Sequence, residues 1–430
     1  MTQIFLIVFR KFFIVFFIIL FCYQQLAAQY NVPLYTSYTT DVARTKMKQG
    51  LINYSIGQNF LLPLSDSTEE NWEEAFDAME VMEYSTPFTQ SKVRSAFDSL
   101  ESRSISFQRA LLEVAYSNYP GKFLSYSESL LQKTSDPKIF AMCAEYLIQN
   151  NKSESVKDRI SKELHEKFSD SAYKNPILYM LQTRLSPDKI HEHSVNKILP
   201  EIFSKEFLPH QEVMYSLQRK NRDYPGMVII RNADGNFVTD STGKIFTVTQ
   251  LARSITNLPG YLTNGNTPQG IFKMFGFKVS MGNFIGPTAN VQLGMPVELS
   301  LQKFFDDTNI LDSTWTMDYY QKLIPKNLQD FLPLYESYYA GLAGRSEIIA
   351  HGTTIDPSYY LGKPYYPLTP TDGCLCTKEI WNGKRIESDQ QKLVNGLLKA
   401  GGANGYCVVI EIDDEQAPVT LKDVISYLPK

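Results

Sequence analysis

The hydrophobic and polar positions of residues 30–219 repeat mostly at helical spacing. In residues 109–116, for example, apolar side chains fall at positions i, i+3 and i+4. Asp136 and Asn175 are each followed by a proline and then by another such segment, and proline is favourable in the first turn of a helix. We therefore predict an all-helical N-terminal domain over residues 29–222. Helix starts that recur at intervals of roughly 30–40 residues are compatible with a helical solenoid and with an irregular helical bundle.

Beyond residue 222 the pattern changes to short apolar or alternating runs, which are typical of β-strands. An Asp234-Gly235 turn separates the first of these runs from the second, as in a hairpin. The predicted strands are residues 227–231, 244–249, 272–279, 347–350 and 406–412. Helical spacing returns in an insertion over about 315–339 and in residues 392–399. The expected fold class is thus α+β and multidomain, with a mostly β domain over residues 223–430.

Composition narrows the class of protein. A chain of 430 residues is long for one hydrophobic core, so about two or three domains are expected. The formal net charge of -4 and the pI near 5.9 leave no basic surface for nucleic acid, so we predict no such partner. Hydrophobic residues at 43% and aromatic residues at 13% indicate a packed globular protein rather than a disordered one.

Residues 1–28 have the pattern of a secretory signal peptide. Arg10 and Lys11 precede an apolar run over residues 12–23, and small residues follow at Ala27-Ala28. We predict an exported protein of the periplasm or cell envelope. Anchoring by an uncleaved signal stays open, because the residues before Arg10 are also apolar.

Removal of the signal would leave four cysteines, which are Cys143, Cys374, Cys376 and Cys407. Four thiols in a long exported chain do not form a disulfide scaffold. A single disulfide between Cys376 and Cys407 is left as an alternative. One C-x-C pair falls short of zinc-ligand spacing. His191-Glu192-His193 is better read as solvated surface than as a metal site, so no metal and no cofactor are predicted.

The segment Thr371-Asp372-Gly373-Cys374, with His351 upstream, carries the candidate chemistry. A cysteine is a good nucleophile as thiolate, and a nearby imidazole is a usual means of forming one. Gly373 allows a sharp bend, and backbone amides at such a bend can bind a developing oxyanion. Asp372 or a backbone carbonyl is the candidate for orienting the imidazole.

His351-Gly352 and the later 371–374 segment resemble the two active-site motifs of the L,D-transpeptidase catalytic domain of bacterial cell-wall enzymes. Residues 266–272 (NTPQGIF) resemble a third motif of that family, and the three occur in the family's order. The resemblance spans about residues 227–412, close to half of the chain.

The resemblance implies that Cys374 attacks an amide carbonyl of a peptidoglycan stem peptide while His351 acts as general base and then acid. Gly373 would supply a backbone donor to the oxyanion, and Gly352, Thr371 and Asp372 would line the substrate site. Attack of a second stem-peptide amine would give a cross-link, and attack of water would give L,D-carboxypeptidase activity.

One departure from the family pattern affects the interpretation. Cys376 stands where the family usually has Arg or Asn. The alternative is therefore a catalytically degenerate protein that binds cell-wall peptides, or a helical scaffold whose N-terminal domain binds a protein partner. A cysteine peptidase acting on proteins is a third alternative. A thiol pKa below its usual range would favour the enzyme.

Arg345 is interpreted as a solvated surface cation. The sequence makes no prediction of the oligomeric state.

Overall fold

The computed structural model describes residues 34–169, 171–186, 195–280 and 282–429. The predicted signal peptide and His191-Glu192-His193 lie outside these residues. In the N-terminal half the helices are α1 Asp41–Gly50, α2 Glu69–Val81, α3 Pro87–Phe97, α4 Ile105–Asn118, α5 Leu124–Lys133, α6 Pro137–Asn150, α7 Glu154–Phe168, α8 Ser171–Lys174, α9 Pro176–Leu185 and α10 Val195–Phe203. A π-helix over Leu51–Gln58 continues α1. No helix within the described ranges is both long and apolar enough to cross a membrane.

Two of the predicted helix starts are confirmed together with their capping chemistry. The Asp136 carboxylate accepts hydrogen bonds from the amides of Lys138 and Ile139, both at 2.9 Å, and α6 begins at the following proline. The Asn175 side chain likewise accepts from two amides at the start of α9, at 3.0 and 3.2 Å. These bonds satisfy amides that a helix start leaves without partners, which is why the Asp-Pro and Asn-Pro pairs mark helix starts.

The described residues of the C-terminal half contain ten strands. They are β1 Val213–Arg219, β2 Gly226–Arg231, β3 Val248–Leu251, β4 Gly270–Lys278, β5 Asn290–Gly294, β6 Ile349–Gly352, β7 Leu375–Thr377, β8 Glu379–Asn382, β9 Lys384–Ser388 and β10 Tyr406–Asp413. Its helices are α11 Leu301–Phe305, α12 Met317–Gln321, α13 Glu336–Leu342, α14 Asp389–Ala400 and α15 Leu421–Val424. The mixed α+β class is therefore confirmed. Helices α12 and α13 lie in or at the end of the predicted insertion, and α14 contains the helix predicted at 392–399.

Eight of these strands close into a barrel in the order β1-β10-β4-β5-β6-β7-β3-β2, and β8 pairs with β9 in a separate hairpin. Strands β1 and β10 are parallel, as are β6 and β7, whereas the other barrel pairs are antiparallel. Every barrel strand contributes to one apolar core that α14 also enters, through Met214, Val228, Val248, Phe272, Val291, Ala350, Leu375, Val409, Leu393 and Leu397. Residues that alternate with these face outward, because successive side chains of a strand point to opposite sides.

The helical prediction for residues 213–219 is wrong. These residues form β1, which is buried throughout. Val213 lies opposite Tyr406 in the parallel pairing with β10, and its other neighbour is β2. The strand is thus fixed by a partner far downstream that local spacing does not reveal. The boundary predicted at residue 222 therefore falls inside the barrel.

The helical half packs directly on the loop that connects β3 with β4. Leu258, Tyr261 and Leu262 of this loop belong to the same apolar core as helices α2–α9. The Tyr261 hydroxyl donates to the Glu145 carboxylate of α6 at 2.8 Å. The same loop also contacts the turn that carries Cys374, so it connects the helical half to the candidate site.

Candidate active site around Cys374

The turn before Cys374 depends on a glycine. Gly373 has φ +112°, a conformation that L side chains rarely adopt. A Cβ atom placed there would lie 2.6 Å from the Gly265 carbonyl oxygen and also overlap the Arg345 guanidinium. Thr371 Oγ1 accepts the Gly373 amide at 3.3 Å and donates to the Cys374 carbonyl at 2.9 Å. The Gly373 amide, predicted as an oxyanion donor, is thus already bound within the turn.

Arg345, taken above as a surface cation, is in fact buried behind this turn at 6% exposure. Its guanidinium donates to the carbonyls of Gly260, Gly265 and Asn266, the last two at 2.9 Å. An arginine can hold several carbonyls at once because its donors form a rigid planar fork. Arg345 therefore fixes the β3–β4 loop against Gly373. The sequence does not reveal this role, because the carbonyls that Arg345 binds lie about 80 residues away in the chain.

The third family-like motif serves the same turn. Thr267 Oγ1 donates to the Gly373 carbonyl at 2.8 Å. Gly270, at φ +123°, starts β4 where a Cβ would overlap Ser337, the Tyr320 hydroxyl and the Leu334 carbonyl. Residues 266–272 are thus needed for the local packing, and Thr267 links them to the candidate nucleophile's turn.

His351 lies on β6 and is 4% exposed. Its Nδ1 is 2.9 Å from the carbonyl oxygen of Gly352. Because a carbonyl only accepts, Nδ1 carries the hydrogen, and Nε2 keeps a lone pair that can accept a proton. Burial lowers the pKa of His351 to about 4, so the imidazole is neutral at physiological pH.

The parallel pairing of β6 and β7 brings His351 close to the turn that carries Cys374. Ala350 and Leu375 are register partners that point into the core, and His351 is the partner of Cys376. Cys374 lies in the turn that precedes β7, two residues before Cys376. Residues of adjacent strands that are offset by two positions have Cα atoms about 8 Å apart, which is the separation expected for His351 and Cys374.

The thiol of Cys374 has its own hydrogen-bond partners in this state. Its Sγ accepts the Ile349 amide at 3.5 Å and donates to the Glu347 carbonyl at 3.7 Å. No direct bond joins Sγ to the His351 ring in the described part of the chain. Cys374 as a residue is half-buried. Burial, and next the Asp372 carboxylate, raise its pKa to about 11 against the opposing effect of the Ile349 amide and Arg345. The resting pair is thus a neutral thiol and a neutral imidazole.

The remaining predicted site residues divide into buried and exposed ones. Gly352 is packed against the Glu379 side chain, which a Cβ would overlap, and Thr371 is bound within its turn. Asp372 is exposed as a residue, but partial burial of its carboxylate by the surrounding protein raises its pKa. Among Gly352, Thr371 and Asp372, only Asp372 is both charged and open to a ligand.

Cys376 is fully buried among Leu251, Tyr360, Tyr365 and Leu368, so this position makes an apolar contact. Cys143, Cys374, Cys376 and Cys407 are all free thiols. The bridge from Cys376 to Cys407 is not formed, because β7 and β10 are separated by three strands in the barrel order. Over the residues with described positions, no group of three or more His, Cys, Asp or Glu side chains could hold a metal ion.

A cavity of about 490 Å³ lies behind the β3–β4 loop and is lined in part by helices α4, α6 and α9 and by residues at the ends of β1 and β10. Four of its charged groups form ion pairs with each other, Arg184 with Glu145 at 2.7 Å and Arg222 with Glu411 at 3.0 Å. We therefore place the candidate chemistry at the Cys374 turn.

Comparison with known proteins adds nothing to this assignment: no family model matches the chain, and no significant match was found among curated proteins or solved structures.

Proposed function

We propose that this chain is an exported, cysteine-dependent L,D-transpeptidase that acts on peptidoglycan stem peptides in the periplasm or cell envelope. The proposal is carried by one observation: a half-buried thiol in the turn before β7 lies close in the fold to a neutral imidazole on the adjacent strand β6, whose Nε2 can accept a proton. The motif resemblance supplies the substrate class, and the turn fixed by Thr267 and Arg345 supports a precisely positioned nucleophile.

The mechanism follows from the protonation states. Cys374 Sγ attacks the amide carbonyl carbon of the donor peptide while its proton passes to His351 Nε2. The resulting imidazolium then protonates the leaving amine as the C–N bond breaks, which leaves a thioester on Cys374. An acceptor amine attacks the thioester, forms the new amide and releases the thiol. Water in place of the amine gives the carboxypeptidase reaction.

A preformed thiolate–imidazolium pair is not the resting state on this proposal. A thiol with a pKa of about 11 and an imidazole with a pKa of about 4 stay neutral near pH 7. Proton transfer is therefore coupled to attack. Substrate binding would replace the thiol's bond to the Glu347 carbonyl and shorten the path to Nε2, directly or through one water.

The test is mass analysis of purified muropeptides incubated with the mature protein. We expect an acyl-enzyme adduct on Cys374 and a cross-linked or trimmed product. Cys374→Ala should abolish both and leave the circular dichroism spectrum unchanged. Product formation by the Cys374→Ala variant would refute the assignment of the nucleophile.

A catalytically degenerate wall-binding protein is the second candidate. The raised pKa of Cys374 and the thiol's bond to a backbone carbonyl favour it. On this alternative, wild type and Cys374→Ala bind isolated cell wall equally well, and neither forms an adduct or a product.

A further inference from the structure

The cavity behind the β3–β4 loop is a second candidate site. Its volume of about 490 Å³ lies in the range of small-molecule sites in proteins, which is about 300–1,000 Å³. Gly260, Asn266 and Thr267 of the loop form part of its wall, and helices of the N-terminal half form another part. Within the described structure Cys374 does not line the cavity, although Thr267 bonds the Gly373 carbonyl from the wall. The cavity is therefore distinct from the site of the candidate chemistry.

The charges that line this cavity are balanced in number but are not all paired. Among the described residues they are four cationic and four anionic side chains, and the two ion pairs given above use half of them. The other four form no ion pair with any residue of the described ranges; they are Lys152, Lys220, Glu336 and Asp414. The cavity thus presents two ammonium groups and two carboxylates that no ion pair within the described structure neutralises.

Both unpaired cations lie at the opening of the cavity. Lys152 follows the end of α6, Lys220 follows the end of β1, and both residues are exposed. Neither Nζ donates a hydrogen bond to another described residue. Each ammonium group carries three donors. Lys152 and Lys220 can therefore bind an anionic group at the opening without first breaking a side-chain bond inside the protein.

The Glu336 carboxylate is more shielded from water than the two lysines. Glu336 is the first residue of α13 and is half-buried, whereas Asp414 is exposed. Glu336 Oε2 accepts the Gln269 backbone amide at 3.0 Å, and Oε1 accepts the Gln269 side-chain amide at 3.3 Å. An ionised carboxylate has about four lone-pair sites, so room remains for further donors. Burial, and next the charge of Glu411, raise the pKa of Glu336, so a positive ligand group beside it would offset an unfavourable charge.

We propose that this cavity binds a short peptide with two free termini, with its ammonium group at Glu336 and its carboxylate at Lys152 and Lys220. Ligands of a single charge fit less well, because an anion would meet the two unpaired carboxylates and a cation would meet the two lysines. A free amino acid also carries both charges, but a peptide separates them and fills more of the volume. The inference goes beyond the proposed function, because it assigns a ligand to a site that does not contain Cys374.

The experiment is isothermal titration calorimetry of the mature protein with triglycine. Triglycine has both terminal charges and no side chain that could clash with the cavity wall. Two matched probes each remove one charge: N-acetyltriglycine lacks the ammonium group, and triglycine amide lacks the carboxylate. We expect triglycine to bind at least about tenfold more tightly than either matched probe, because each of them loses charge-assisted hydrogen bonds.

Variants of the lining residues connect each terminal charge to its side chain. In the double variant Lys152→Gln/Lys220→Gln, triglycine should bind no more tightly than triglycine amide, because no cation remains to recognise the carboxylate. In Glu336→Gln, triglycine should bind no more tightly than N-acetyltriglycine. Lys46→Gln is the control, since Lys46 is exposed on α1 and does not line the cavity. This control should keep the wild-type order of affinities.

Equal affinity for the three probes, no binding of triglycine, or an undiminished preference for triglycine over its amide in the double lysine variant would overturn the inference. The lysine variant tests it even where Glu336→Gln fails to fold, because both lysines are exposed. Cys374→Ala, which should abolish turnover, should bind triglycine as the wild type does. Loss of binding in Cys374→Ala would place the peptide at the candidate nucleophile and overturn the second site, whereas muropeptide turnover tests the enzyme assignment separately.

Discussion

Replacing Gly373 with alanine tests whether the active-site turn is held by steric fit as well as by backbone conformation. Gly344 provides the matched comparison, because it also has positive φ, at +86°, but a Cβ there would meet nothing within 4 Å. Gly344→Ala should therefore cost only backbone strain, about 1–2 kcal/mol. Gly373→Ala carries the same strain and must in addition displace the Gly265 carbonyl, which a Cβ would approach to 2.6 Å, and the buried Arg345. Overpacking of this kind costs about 1–3 kcal/mol, so the total is about 2–5 kcal/mol.

The assay is equilibrium unfolding in urea, followed by circular dichroism and by tryptophan fluorescence, together with the alkylation rate of Cys374 in native buffer. Two probes are needed because a helical half and a barrel need not unfold in one step. We expect Gly373→Ala to lose more free energy of unfolding than Gly344→Ala and to change the alkylation rate, which Gly344→Ala should leave as in wild type. Equal losses for the two variants with an unchanged alkylation rate would refute the steric account of the turn.

Three further predictions follow from the site. Burial lowers the pKa of His351 to about 4 from 6.5, so the unfolded chain takes up a proton between these pH values that the folded protein does not. The free energy of unfolding should therefore fall as pH drops through this window, by up to about 3 kcal/mol, and His351→Asn should flatten the curve measured by urea unfolding. Cys374, with its pKa raised to about 11 by burial, should be alkylated faster as pH rises towards that value. The native protein should take up a single label and Cys374→Ala none, by intact mass, and a rate that levels off below pH 8 would contradict this. Arg345→Lys should destabilise the protein by about 2–4 kcal/mol, because a lysine cannot hold the three carbonyls of the β3–β4 loop; an unchanged thermal midpoint would show that the loop does not need the fork.

Local sequence patterns predicted part of the secondary structure. Asp136 and Asn175 marked two helix starts because a capping side chain followed by proline favours that position whatever the rest of the chain does. The alternating and apolar runs at β2, β4 and β10 likewise predicted strands close to their observed bounds. Both signals come from side chains within a few residues of each other, so the sequence carries them directly.

The sequence also identified Cys374 and His351 as candidates, because cysteine and histidine are scarce in this chain and both residues adjoin a glycine. It did not establish their relation, which the parallel register of β6 and β7 decides, and it did not predict their pKa values, which depend on the atoms packed around them. A thiol pKa below the usual range was the signature expected of the enzyme, and the folded chain has the opposite.

What the sequence by itself determined are the elements and the candidate chemical groups. Only the tertiary structure decided that residues 213–219 are a barrel strand, that Arg345 is buried, and that Glu113 accepts a hydrogen bond from Asn264 of the β3–β4 loop. The physical reason is the range of the interactions. Helix caps and strand alternation act over a few residues, whereas pairing, burial and charge clustering join groups far apart in the chain. A carboxylate on a helix looks like solvated surface until the fold places another element over it.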